Sequence, residues 1–77
     1  MWKSGRVKFG MIVYYWEAKV YDEGSEFGIN GGRISKLFIR RDDGKTAPIL
    51  NYDRGWDIRP RSKAALEIFG NLLNQYA

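Results

Sequence analysis

Residues 12–21, IVYYWEAKVY, alternate strictly. Ile12, Tyr14, Trp16, Ala18 and Val20 fall on one side, and Val13, Tyr15, Glu17, Lys19 and Tyr21 on the other. A period of two places each set on its own face of a half-buried β-strand, and no helical stripe can be drawn through the same residues. That strand needs partners and a cover. The chain has 77 residues and no Cys, so no disulfide supplements a core that one small domain can make only modest in size. Three Trp, five Tyr and four Phe supply the apolar area instead.

The flanking segments complete an antiparallel pattern. A shorter strand is predicted over Arg6–Phe9, with Gly10 in the turn to the strand at 12–21. DEGSEFGINGG, residues 22–32, carries four glycines and reads as a long loop, with Phe27 and Ile29 folding back onto the core. From Arg33 the chain is strand again, with Ser35, Leu37 and Ile39 on one face and Lys36, Phe38 and Arg40 on the other. Asp43-Gly44 is a hairpin signal, because Gly accepts the positive φ that hairpin turns require. The returning strand, about Thr46–Tyr52, contains Pro48, which lacks an N–H and implies an edge position or a bulge.

A helix is predicted from Ser62 to about Gln75. Leu66, Phe69, Leu73 and Tyr76, widened by Ala65 and Leu72, form its apolar stripe, and Ser62 is its N-cap. The fold class is α+β: one domain over residues 1–77, a three- to four-stranded antiparallel β-meander with one C-terminal helix packed on one face, in the order ββββα.

The chemistry is narrowed by absences. Without His or Cys the usual zinc sites, His-activated nucleophiles and the commonest general base are missing. Glu17-Ala18-Lys19 has the E-x-K letters of a metal-dependent nuclease centre, but no acid precedes Glu17 to share an ion. Gly28-Ile29-Asn30-Gly31 matches G-x-x-G but is flanked by strands, and no phosphate-binding P-loop motif is present. No catalytic residue, metal or cofactor is therefore expected. The longest apolar run, Met11–Trp16, is too short for a membrane helix or a signal-peptide core, so a cytoplasmic chain without a membrane partner is expected.

The net charge of +4 is unevenly placed. Arg33, Lys36, Arg40 and Arg41 occur with no acid in residues 33–41, whereas Glu17, Asp22, Glu23 and Glu26 oppose only Lys19 in residues 17–26. If the alternations hold, Tyr15, Lys19 and Tyr21 lie beside Lys36, Phe38 and Arg40 on the sheet face away from the helix. Rings among cations form a stacking platform for single-stranded nucleic acid. The same face suits a protein partner or a second copy of the chain, or the N-terminal segment with Trp2 could cover it. Charge and aromatic content do not separate nucleic acid from protein, and both stay open.

NYDRGWDIRP, residues 51–60, reads as an architectural corner. Gly55 permits the turn, Trp56 wedges between helix and sheet, and Asp53, Arg54 and Asp57 fix the bend after Tyr52 through hydrogen bonds to the backbone. GSEFGINGGRISKL together with NYDRGWD resembles an uncharacterised family of short proteins from Gram-positive bacteria, their phages and mobile elements, over about residues 16–57. That resemblance implies a setting in which a nucleic-acid role, or an inhibitor docking on a host or defence protein, is expected, and no enzymatic mechanism.

Overall fold

A computed structural model describes residues 1–76. Its order is β1 (Trp2–Phe9), β2 (Ile12–Val20), a one-turn 3-10 segment (Ile29–Gly31), β3 (Ile34–Arg41), β4 (Leu50–Asp53), β5 (Trp56–Ile58) and α1 (Lys63–Tyr76). The strands form one antiparallel sheet in the sequential order β1-β2-β3-β4-β5, a meander in which every neighbour in sequence is a neighbour in space. The α+β class, the meander and the C-terminal helix are as the sequence predicts. The strand count is five, because part of the expected corner is itself the last strand.

Alternation sorts the side chains as expected. Tyr14, Trp16, Ala18 and Val20 of β2, Leu37 and Ile39 of β3, and Leu50 and Tyr52 of β4 are buried beneath the helix. The helix crosses the strands: the Phe69 ring meets Trp56 of β5 at 5.5 Å and the Tyr76 ring meets Trp16 of β2 at 6.1 Å. Its buried line is Ala64, Ala65, Ile68 and Leu72, with Phe69, Leu73 and Tyr76 partly covered. Leu66 is 52% exposed, contrary to its expected place in the stripe, and Ile68 is where the stripe is centred. Small Ala64 and Ala65 face inward, which lets the helix backbone approach β3.

Ser62 caps this helix. Its Oγ accepts the Ala65 N–H at 3.0 Å, and its carbonyl accepts the Leu66 N–H at 3.0 Å. Ser62→Ala should lower stability by about 1 kcal/mol in urea titration, whereas Ser62→Asp, which keeps an acceptor, should lose little.

Three local expectations are corrected. β1 begins at Trp2 and not near Arg6, so the N-terminal segment lies in the plane of the sheet as an edge strand and does not cover its open face. Gly10, at φ +65, forms the β1–β2 turn as predicted. The Asp43-Gly44 segment is not a tight hairpin but the start of a loop over residues 42–49, in which Pro48 lies, outside any strand. That loop is organised by Asp43, whose carboxylate accepts the N–H of Lys45 at 3.0 Å and of Thr46 at 2.9 Å and the Thr46 hydroxyl. The hydroxyl and both N–H groups hold the Asp43 carboxyl far below the usual carboxylate range.

The glycine loop is compact. Ile29 is buried as expected, but Phe27 is 52% exposed, and only its carbonyl reaches inward, to accept the Tyr52 hydroxyl at 2.8 Å. A Cβ on Gly28 would fall 1.8 Å from the Gly32 carbonyl oxygen, and one on Gly24 2.4 Å from that of Gly31. Backbone meets backbone there, so both positions exclude a side chain.

Candidate functional site: the open face of the sheet

The register assembles the face away from the helix as rows across the strands. Trp2, Lys19, Lys36 and Asp53 stand opposite one another on β1 to β4; Ser4, Glu17, Phe38 and Asn51 form the next row; Arg6, Tyr15 and Arg40 form the third. Successive rows are about 7 Å apart, two residues along a strand. Tyr15, Lys19, Lys36, Phe38 and Arg40 are therefore brought together as the alternation implies. Tyr21 follows the end of β2, and its N–H donates to the Arg33 carbonyl at 2.9 Å, which continues the pairing by one residue. Ser4 and Arg6 are members that the alternation of residues 12–21 and 33–41 does not place, and Trp2, expected only as part of a cover, stands within the face. Their signal was the alternation of Trp2, Ser4 and Arg6 with Lys3, Gly5 and Val7.

The third row is internally satisfied. The Arg40 and Arg6 guanidinium carbons lie 5.0 and 5.5 Å from the centre of the Tyr15 ring, within cation–π range. The Tyr15 hydroxyl donates to Glu17 at 2.9 Å, and that hydrogen bond raises the phenol pKa. Arg6 is also paired with Asp42 at 2.7 Å, and Arg40 donates to the Arg41 carbonyl at 3.1 Å.

The first row is open. Lys19 Nζ lies 5.4 Å from the Tyr21 ring centre and 6.0 Å from that of Trp2, and Lys36 Nζ also lies 6.0 Å from Trp2. Trp2 is 55% exposed and Tyr21 45%, so both rings retain surface for a ligand. Lys19, first among the causes, lowers the Tyr21 pKa. Lys36 is paired with Asp53 at 3.8 Å, and among the described residues no carboxylate lies within salt-bridge distance of Lys19. Beyond this row a cleft of about 800 Å³ opens beneath the glycine loop.

The corner adjoins this cleft. Tyr52 and Trp56 face each other across β4 and β5, edge to face at 5.0 Å. Trp56 sits between Tyr52 and Phe69, as the wedge reading requires. The positive φ of the turn is carried by Arg54, at +58, and not by Gly55. The Arg54 N–H donates to the Ser35 carbonyl at 2.9 Å, beside the irregularity in the β2–β3 register, and this bond offsets the cost of a left-handed non-glycine residue. The charged side chains of the corner meet other side chains instead of the expected backbone groups. Asp53 approaches Lys36 and Arg54, at 3.8 and 3.4 Å, and Asp57 accepts from Asn51 Nδ2 at 3.3 Å.

Among the described residues no group of three or more acidic side chains is gathered as a metal site, and Glu17 is engaged by Tyr15. No helix among them is long and apolar enough to cross a membrane.

The structure thus defines a class: a five-stranded meander with one helix, bearing a basic-aromatic face opposite its core. The chain belongs to a family described as a domain of unknown function (DUF7678), which matches residues 1–77. No curated protein and no solved structure matches it.

Proposed function

We propose that the chain is a non-enzymatic binding module that takes single-stranded nucleic acid on the open face of its sheet, in the cytoplasm of Gram-positive bacteria or in the service of their phages and mobile elements. The observation that carries this reading is the first row, where Lys19 and Lys36 flank the half-exposed Trp2 ring and Lys19 adjoins Tyr21. Unpaired bases can stack on such rings while cations meet phosphates, and a duplex, whose base faces are hidden, cannot use them. Glu17, one row away, keeps phosphates to the two basic rows on either side of it.

Fluorescence anisotropy with labelled single strands and duplexes tests the proposal. Single strands should bind more tightly, and log K should fall linearly with log salt, by about 0.7 for each phosphate neutralised. Equal binding of duplex, or none of either at low salt, would remove the proposal.

A protein partner or a homodimer on the same face is the second reading. It is favoured by Phe38 and the exposed Val13, apolar groups that phosphate does not need, and by the carboxylate of Glu17 amid them. It predicts that Trp2→Ala and Phe38→Ala dissociate a complex seen by light scattering, with little dependence on salt.

A further inference from the structure

The open face is not uniform. In the Arg6–Tyr15–Arg40 row the ring carries two guanidinium groups, its hydroxyl is given to Glu17, and Arg6 is held by Asp42. At the Lys19 end, among the described residues, Lys19 has no carboxylate partner and Lys36 only Asp53 at 3.8 Å, and the face continues into the cleft of about 800 Å³ lined by Lys19, Tyr21, Lys36, Phe27 and Arg54 and by Asp22 and Glu23 of the loop. That size lies within the roughly 300–1,000 Å³ usual for small-ligand sites.

The lining is sorted by sign. Lys19 and Lys36 belong to the sheet floor and Arg54, held 3.4 Å from Asp53, to the corner beside it, whereas Asp22 and Glu23 belong to the loop. Tyr21 and Phe27, 45% and 52% exposed, supply flat apolar surface between these two sets. A simple anion would be repelled by the loop, and a simple cation by the floor. The ligand that satisfies all three features has an anionic group, an aromatic ring system and N–H donors away from the anion, which is the chemistry of a nucleotide.

The carboxylates narrow this further. They accept hydrogen bonds and cannot donate them, so they favour an exocyclic amino group, as acidic side chains do with cytosine N4, and oppose a carbonyl in its place. The loop that follows them is tied back on itself. The Ser25 N–H donates to the Gly32 carbonyl at 3.2 Å, Phe27 N–H to Ser25 Oγ at 3.2 Å, and Gly24 lies so close to Gly31 that no side chain fits.

We propose that this cleft is a base-selecting subsite that seats one nucleotide of a bound single strand, phosphate toward Lys19 and Lys36 and base on Tyr21 and Phe27, and that Asp22 and Glu23 select a base bearing an amino group. The inference rests on the nucleic-acid reading of the face. The probes are fluorescent oligodeoxycytidine and oligodeoxyuridine of equal length at pH 8, two pyrimidine strands of equal charge that differ at C4 and in the N3 proton. The wild type should bind the cytidine strand about tenfold more tightly. In D22N/E23Q the preference should fall to within twofold, and in Y21A both strands should weaken by about tenfold with the preference kept. As a check independent of variants, deoxycytidine monophosphate should shift the amide resonances of residues 19–25 in the wild type at concentrations where deoxyuridine monophosphate does not.

Equal binding of the two strands, or a cytidine preference that survives in D22N/E23Q, would overturn the subsite while leaving the nucleic-acid face standing. No binding of either strand at low salt, with self-association or a protein complex instead, would overturn both.

Discussion

Trp16→Ala is expected to lower stability by about 3–5 kcal/mol, a large share of what a domain this small possesses. The indole is buried in the middle of β2, against Tyr76 of the helix, and lies against Gly5 of β1, where an added Cβ would come within 3.0 Å of its ring nitrogen. Truncation therefore opens a void shared by an edge strand, a central strand and the end of the helix, and none of the three can close it without moving from the others. Leu66→Ala, on the opposite side of the helix, should change stability by less than about 0.5 kcal/mol. Urea titration of both variants gives the comparison. A Leu66 effect as large as that of Trp16 would mean that the helix presents another face to the sheet.

That pair of residues also marks the limit of what periodicity reveals. On a strand the period is two, and one strong alternation fixes both faces, so the buried and open sets of β2 and β3 could be read directly from residues 12–21 and 33–41. On a helix the stripe is broad, and the residues Ala64, Ala65, Leu66, Ile68, Phe69, Leu72, Leu73 and Tyr76 permit more than one centre. The docked rotation follows from the fit to the sheet: small Ala64 and Ala65 allow close approach, and Ile68 then becomes central while Leu66 turns out. Sequence alone carries the amphipathicity but not the shape of the surface opposite.

The misplaced turn elements have a similar origin. Asp-Gly is a hairpin signal only if the flanking residues pair at once, and here Asp43 binds the N–H groups of Lys45 and Thr46 with its own carboxylate, which stabilises a longer loop. In RGW the glycine marks the turn in the sequence, but the positive φ falls on Arg54, whose N–H reaches the Ser35 carbonyl. The strand at Trp2–Phe9 was legible only in part because Ser4 and Gly5 are poor strand residues by propensity. Gly5 is placed there by contact with the Trp16 indole, a tertiary cause with no local trace. The aromatic-cation content of the open face was visible as alternation. Its division into a satisfied row and an open row depends on Asp42, which reaches Arg6 from the loop after β3, on Trp2, which meets Lys19 through cross-strand register, and on the bond from Tyr15 to Glu17 two residues along β2.

Lys19→Glu should reduce affinity for single strands by about thirtyfold at low salt. An ammonium near a phosphate contributes about 1 kcal/mol in water, and a carboxylate in its place replaces that attraction with a repulsion of similar size. Arg40→Glu should act in the same direction and less strongly, because Arg40 is already engaged with Tyr15 and the Arg41 carbonyl. Glu17→Gln should do the reverse. The carboxamide keeps an acceptor for the Tyr15 hydroxyl, so the row holds, while the charge that separates the two basic rows is gone, and single-strand affinity should rise about threefold at low salt. Both effects should fade together as salt rises, since they arise from the same screened field. Titrations of the three variants and the wild type across a salt series, with circular dichroism to verify folding, make the comparison. Reversal at Lys19 without loss of affinity, together with no gain in Glu17→Gln, would mean that phosphates do not visit this face. The exposed rings of Trp2 and Tyr21 would then be the contact surface of a protein partner, for which a carboxylate at the centre of the sheet is no obstacle.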